Sequence, residues 1–207
     1  AEIVLQGAGY DEAYGYAAAL AGTENLTFVH PFDDPEVIAG QGTIAMELFR
    51  QHREPVDAVF VPVGGGGLAS GIALYAKALY PDVRIIGVEP EESPSMQRSL
   101  AAGAPLTLEH VGIFADGVAV KRVGDETFRI CRELLDDIVL VTTDEICAAI
   151  QDIFEECRSI AEPAGALGVA GLKRHVAATG LQGATLIAIN SGANVNFDRL
   201  RHIAERA

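Results

Sequence analysis

Short, almost unbroken aliphatic runs alternate along this chain with stretches of helical periodicity, and that alternation limits the available folds more than any other feature. Residues 58–63 read AVFVPV, residues 84–88 RIIGV, residues 138–141 IVLV and residues 184–190 ATLIAIN. A strand that is apolar on every residue must be covered on both faces, as strands are in a parallel sheet flanked by helices. Two more strands are expected at residues 2–6 and 26–29. Helices are expected over residues 11–21, 68–79, 95–103, about 125–135, 142–158, from Pro163 onward, and in FDRLRHIAER near the end. Asp34 before Pro35 predicts another helix start. Gly40 and Gly42 predict a break in that helix before His52. Thr142 and Glu145 have the spacing of a capping box. The expected fold class is α/β, with a mostly parallel sheet and helices on both faces.

Composition narrows the partners. The 207 residues carry a formal charge of -14 with no compensating Lys/Arg cluster, which argues against a nucleic-acid surface. The longest apolar runs are far short of a membrane span, and no signal-peptide pattern is present, so no membrane partner is expected and the expected compartment is the cytosol. Cys131, Cys147 and Cys157 lie in helical segments without C-x-x-C spacing and read as buried, reduced thiols. The chain opens on a strand-like segment at Ala1, without Met, and closes on a helical pattern at Ala207 without a stop signal. The expectation is a piece of a longer polypeptide.

Four constellations carry chemistry. Gly64, Gly65, Gly66 and Gly67 follow the first long apolar strand and lead into a helix at Leu68. A bare loop between a strand and a helix start presents free backbone N–H groups and a positive helix end, which together make an anion site, most often for phosphate. Four glycines exceed what a tight turn needs. The second constellation is SGANVNF at residues 191–197, where Ser191, Gly192 and Asn194 follow another strand. By itself it also reads as a simple turn. Glu162 before Pro163 is the third, reading equally as charge complementarity at a helix start. Asp116–Gly117 is the fourth, and reads as a turn.

The loop is not a Walker motif, because no Gly-Lys-Ser/Thr closes it. Gly64, Gly66 and Ala69 do satisfy G-x-G-x-x-A, and Glu89 closes the next strand where a ribose-binding acid would stand, so a nicotinamide-dependent oxidoreductase is a competing reading. A non-catalytic ligand-binding module is a third.

VPVGGGGLASGIALYAK, IIGVEPEES, VGIFADGVAVKRVGDETFRICRELLDDIVLV, EPAGALGVAGLK and SGANVNFDRLRHIAER, in this order, resemble the threonine ammonia-lyases (threonine dehydratases) among the fold-type II pyridoxal-phosphate enzymes. The resemblance extends over essentially the whole chain, including GAGYDEAYGYA and PFDDPEVIAGQGT. It implies a three-layer α/β/α domain over residues 31–207 and the tail of a smaller α/β domain over residues 1–30, with pyridoxal 5'-phosphate in the cleft. By resemblance Gly64, Gly65, Gly66, Gly67 and Leu68 match the phosphate loop, Ser191 the hydroxyl at the pyridine nitrogen, and Gly117 and Glu162 residues lining the cofactor ring. The implied reaction converts threonine, or serine, in a small-molecule amino-acid pocket; for threonine the products are 2-oxobutanoate and ammonia. It is the first step towards isoleucine, carried out by a homotetramer.

The family's Schiff-base lysine belongs to an upstream motif that Lys77, Lys121 and Lys173 do not match. The resemblance therefore implies that this chain alone is inactive. The isoleucine- and valine-binding regulatory domain would begin beyond Ala207. A metal site of related serine racemases uses a glutamate matching Glu89 and a carboxylate where Ser95 stands here, so no metal is implied.

Overall fold

The protein is described by a computed structural model covering residues 2–7 and 9–207. Ala1 and Ala8, within the expected small-domain tail, lie outside the described residues. Four strands, β1 (Ala58–Pro62), β2 (Arg84–Pro90), β3 (Asp137–Val141) and β4 (Leu186–Ala188), form an all-parallel sheet in the order β3-β2-β1-β4. Ala58 pairs with both Arg84 and Leu186, and Ile86 with Asp137.

Among the described residues eight helices accompany the sheet: α1 (Tyr10–Glu24), α2 (Pro35–Gln51), α3 (Gly67–Leu79), α4 (Ser95–Ala102), α5 (Asp125–Leu134), α6 (Thr143–Cys157), α7 (Pro163–Thr179) and α8 (Arg199–Ala204). Successive strand residues point to opposite faces. Phe60, Ile86, Val88 and Val141 therefore enter a core shared with α6 and α7, while Val59, Val61, Val63 and Ile85 enter a second one shared with α2, α3 and α5. Two cores around one sheet make three layers, the expected fold class. Burial on both faces is why the central strands β1 and β2 read as unbroken apolar runs.

The chain steps from β1 to β2 to β3 and then returns to place β4 on the other side of β1. The connections thus diverge at the carboxyl ends of β1 and β4. A crevice at such a switch point is where open parallel sheets bind ligands.

Several local expectations hold. Asp34 accepts from Glu36 and Val37 N–H at the start of α2, Thr142 and Glu145 form the capping box of α6, and Gly103 ends α4 at φ 75°. Others need correction. Residues 2–6 form no strand, and Ile3 and Leu5 are exposed. Residues 26–29 run as unpaired chain, with Phe28 edge-on to Tyr14. Cys131 and Cys147 are buried, but Cys157 is exposed.

The break expected at Gly40 and Gly42 is absent, because α2 is continuous. A Cβ on Gly42 would lie 3.2 Å from the Gly71 carbonyl, and one on Gly71 2.4 Å from the Ile38 carbonyl. These glycines let α2 and α3 touch backbone to backbone.

β4 is shorter than its apolar run. Its ladder continues through Asp57 N–H to Thr185 O at 2.9 Å and Ile189 N–H to Phe60 O at 3.0 Å, but it is a half-buried edge. Helix α7 lies across β1 and β4 on a glycine face. A Cβ on Gly168 would meet Ile189 O at 2.6 Å and Phe60 O at 3.1 Å, both immovable backbone. Gly168→Ala is expected to destabilise the fold by about 1–3 kcal/mol through overpacking. Gly40→Ala, with nothing within 4 Å of its Cβ, is expected to stabilise it by about 0.5–1 kcal/mol. Thermal or urea unfolding of the two variants checks both signs.

Candidate active site

At the switch point a cavity of about 410 Å³ opens between the end of β1, the start of α3, a 3-10 turn at Asp116–Val118, the start of α7 and the segment after β4. All eight residues singled out in the sequence, Gly64, Gly65, Gly66, Gly67, Leu68, Gly117, Glu162 and Ser191, line it. They come from four separate parts of the chain.

The glycine loop is bare because its neighbours leave no room. A Cβ on Gly65 would sit 2.4 Å from the Phe32 ring, one on Gly64 2.9 Å from Val118 Cα, and one on Gly67 3.0 Å from Phe32 Cα. Gly66 has φ +98°, a left-handed conformation that side chains resist.

The loop ends in an uncapped helix start, whereas four other helices are capped by side chains. Asp34 caps α2, Asp33 accepts from the first N–H groups of α5, Glu89 from those of α4, and Thr142 from α6. Helix α3 has no side-chain cap and no acidic residue in its first turn. Among the described residues no acceptor takes the N–H groups of Gly64 through Ala69. The positive end of α3 and this row of donors are thus left for a ligand.

The opposite wall is set by Glu162. Its N–H donates to Gly192 O at 3.1 Å, and its Oε2 accepts from Asn194 N–H at 3.0 Å. The carboxylate makes no side-chain cap bond to the start of α7. It anchors the loop that follows Ser191. Gly117 faces Ala164, whose methyl would lie 2.9 Å from an added Cβ, so this wall stays flat. Asn194 contributes its backbone to that anchor and does not line the cavity.

Sequence reasoning passed over Tyr10 and Phe32, which also line the cavity, with ring centroids 5.9 Å apart. Burial, then the neighbouring Tyr14 and Asp11, pushes the Tyr10 phenol up to about 12, so it is a neutral group. The only signal for these residues lay in the GAGYDEAYGYA and PFDDP stretches.

None of the three lysines lines the cavity. Lys77 pairs with Asp136 at 2.8 Å, and Lys173 pairs with Asp152. A larger cleft of about 660 Å³ lies at the opposite, amino edge of the sheet, beside residues 49–56 and 79–83. No strand carboxyl end or helix start points into it.

Glu89 does not serve as a ribose acid. It is fully buried, and its two oxygens accept from Met96 N–H at 2.8 Å and Gln97 N–H at 2.9 Å. A carboxylate spent on capping α4 is closed to a sugar hydroxyl. Burial raises its pKa to about 7, against the lowering effect of those two N–H groups.

The cavity fits pyridoxal phosphate: uncapped N–H donors for a dianion, a glycine wall for a flat ring, and a neutral hydroxyl at Ser191. The fold and this donor set define a cofactor-binding α/β protein. Residues 1–192 match the family described as "Pyridoxal-phosphate dependent enzyme", and the chain belongs to that family.

Within it, the chain is similar to L-threonine dehydratase biosynthetic IlvA of Burkholderia multivorans, 56% identical over 206 residues, covering 100% of this chain and 41% of that protein. It is also similar to the chloroplastic biosynthetic threonine dehydratase of Arabidopsis thaliana, 56% identical over 207 residues and covering 35% of that protein. The processed form of threonine deaminase isoform 2 from Solanum lycopersicum superposes with a TM-score of 0.95 at 46% identity, covering 99% of this chain and 56% of that one. The chain therefore spans about 41% of the length of such a curated relative. The nicotinamide reading of Gly64, Gly66 and Ala69 is overturned by this family membership and by the capping role of Glu89.

The raised pKa of Glu89 has a signed consequence. Its folded value, about 7, exceeds the ordinary 4.5, so its favourable contribution is full below about pH 4.5 and is lost as pH rises through 7. Glu89→Gln is expected to flatten the fall in stability between pH 4.5 and 7.5 by on the order of 3 kcal/mol. Urea unfolding of both proteins across that range checks it.

Proposed function

We propose that residues 31–207 are the larger part of the cofactor-binding domain of a threonine ammonia-lyase, and residues 1–30 the tail of its smaller domain. The whole enzyme converts threonine to 2-oxobutanoate and ammonia and accepts serine as well. The observation that carries this reading is the uncapped start of α3 opening into the same cavity as Ser191, in a chain 56% identical to a biosynthetic threonine dehydratase. That α1 buries none of its residues supports the division near residue 30. A homotetrameric assembly belongs to the same reading and rests on the family resemblance alone, while a cytosolic location rests on the sequence pattern.

When bound, pyridoxal phosphate supplies the electron sink that lets an amino acid lose its Cα proton and then its β-hydroxyl. The protein's residues do the holding. Backbone N–H groups of Gly64 through Leu68 bind the phosphate, aided by the positive end of α3. Gly117 leaves the ring face unobstructed. The Ser191 hydroxyl would offer the pyridine nitrogen a neutral partner, which would not hold that nitrogen protonated as a carboxylate would. This favours rapid elimination over reactions that need a long-lived carbanion. Glu162, by fixing Gly192 and Asn194, holds the segment that carries Ser191.

The test uses the full-length protein. Ammonia and 2-oxobutanoate are expected from threonine, with activity lost on removing the cofactor and regained on adding it; no release from threonine or serine overturns the reading. Ser191→Ala removes one hydrogen bond worth about 0.5–1.5 kcal/mol, so cofactor affinity is expected to fall roughly 2- to 12-fold. Unchanged affinity removes Ser191 from the site. The 207-residue chain alone, mixed with pyridoxal phosphate and borohydride, is expected to acquire no label on a cavity residue, since no lysine lies there. Peptide mapping checks this.

A further inference from the structure

The bareness that makes the glycine loop an anion site also makes it soft. Gly65 and Gly66 flank a peptide unit with no side chain on either side, so side-chain sterics of its own residues do not fix its orientation. A planar trans peptide points its C=O and N–H in opposite directions. In one orientation the unit offers the cavity a donor, and in the other a carbonyl oxygen that repels an anion. Something outside the loop must choose between them.

The Gly65 carbonyl is held from the far side. It accepts from the Thr127 hydroxyl at 2.6 Å and from Gly124 N–H at 3.3 Å, both at the start of α5. Thr127 is fully buried. With the carbonyl drawn towards α5, the Gly66 N–H faces the other way, on the side where Gly66 lines the cavity.

The start of α5 is itself fixed by Asp33. Its carboxylate accepts from Asp125 N–H at 2.9 Å and from Glu126 and Thr127 N–H at 3.0 Å each. Asp33 N–H in turn donates to His30 Nδ1 at 2.8 Å. The neighbouring Phe32 ring covers Gly65 on its side-chain face. One short segment thus closes over the loop and anchors the helix that orients it.

We propose that Thr127, anchored through Asp33, is a positioning residue that sets the Gly65–Gly66 peptide with its N–H towards the cofactor phosphate. This rests on the anion-site reading of the loop and adds to it a requirement for a buried hydroxyl 62 residues away in sequence. Thr127 does not line the cavity.

The test compares affinities of the full-length apo-protein for pyridoxal phosphate and for pyridoxal, which lacks the phosphate. Their ratio isolates the phosphate's contribution. Thr127→Val is expected to lower the ratio about tenfold, with pyridoxal affinity unchanged within about twofold, and Thr127→Ser is expected to restore it. An unchanged ratio in Thr127→Val, or equal loss of both affinities, overturns the proposal. If Thr127→Val does not fold, Asp33→Asn is read the same way: a lowered ratio supports the proposal and an unchanged one overturns it. A wild-type ratio near one instead brings down the anion-site reading itself, so the two failures are distinguishable.

Discussion

Each helix of a parallel α/β fold that follows a strand delivers unpaired N–H groups to the carboxyl edge of the sheet, and much of this structure is an answer to that constraint. Glu89 takes those of α4, and Thr142 with Glu145 those of α6. Asp34 and Asp33 do the same for α2 and for α5, which begins beside the glycine loop. Helix α3, like α7 and α8, has no side-chain cap, and it starts where the strand order reverses.

Close approach is the second theme. Glycine faces let α7 lie on the backbone of β1 and β4 and let α2 meet α3, and the same small residues keep the cavity wall flat at Gly117. Such packing couples fold to site. The helix that covers one sheet face begins at Glu162, whose carboxylate then holds the loop after Ser191. A shift of α7 would move both.

The electrostatics of the cavity follow from which charges are committed elsewhere. The carboxylates of Asp33 and Glu89 are engaged with backbone N–H groups, and Tyr10 is neutral through burial. Backbone dipoles and the Ser191 hydroxyl face the ligand beside two carboxylates, Glu162, which accepts from Asn194 N–H, and Asp116, which lies 3.6 Å from Arg199. That combination suits a phosphate at one end and an uncharged contact at the pyridine nitrogen at the other.

Much of this was legible in the residues themselves. Strands β1 and β2 were readable because burial on both faces requires an unbroken apolar run, the half-buried edge β3 because its run is equally apolar, and the caps at Asp34, Thr142 and Gly103 because capping is local chemistry. The glycine loop was readable because four bare residues between a strand and a helix have few other uses. Other features depended on what lies across a contact. Gly42 looks the same whether it breaks a helix or lets Gly71 approach, and only the packing of α2 on α3 decides. Glu89 resembles a sugar-binding acid until α4 folds back over its carboxylate. Asp33 and Asp34 are alike in sequence, yet one caps its own helix and the other reaches a helix more than 90 residues further on. Local propensity is written in consecutive residues, whereas the partner of a buried polar group is set by which distant segments the sheet brings together.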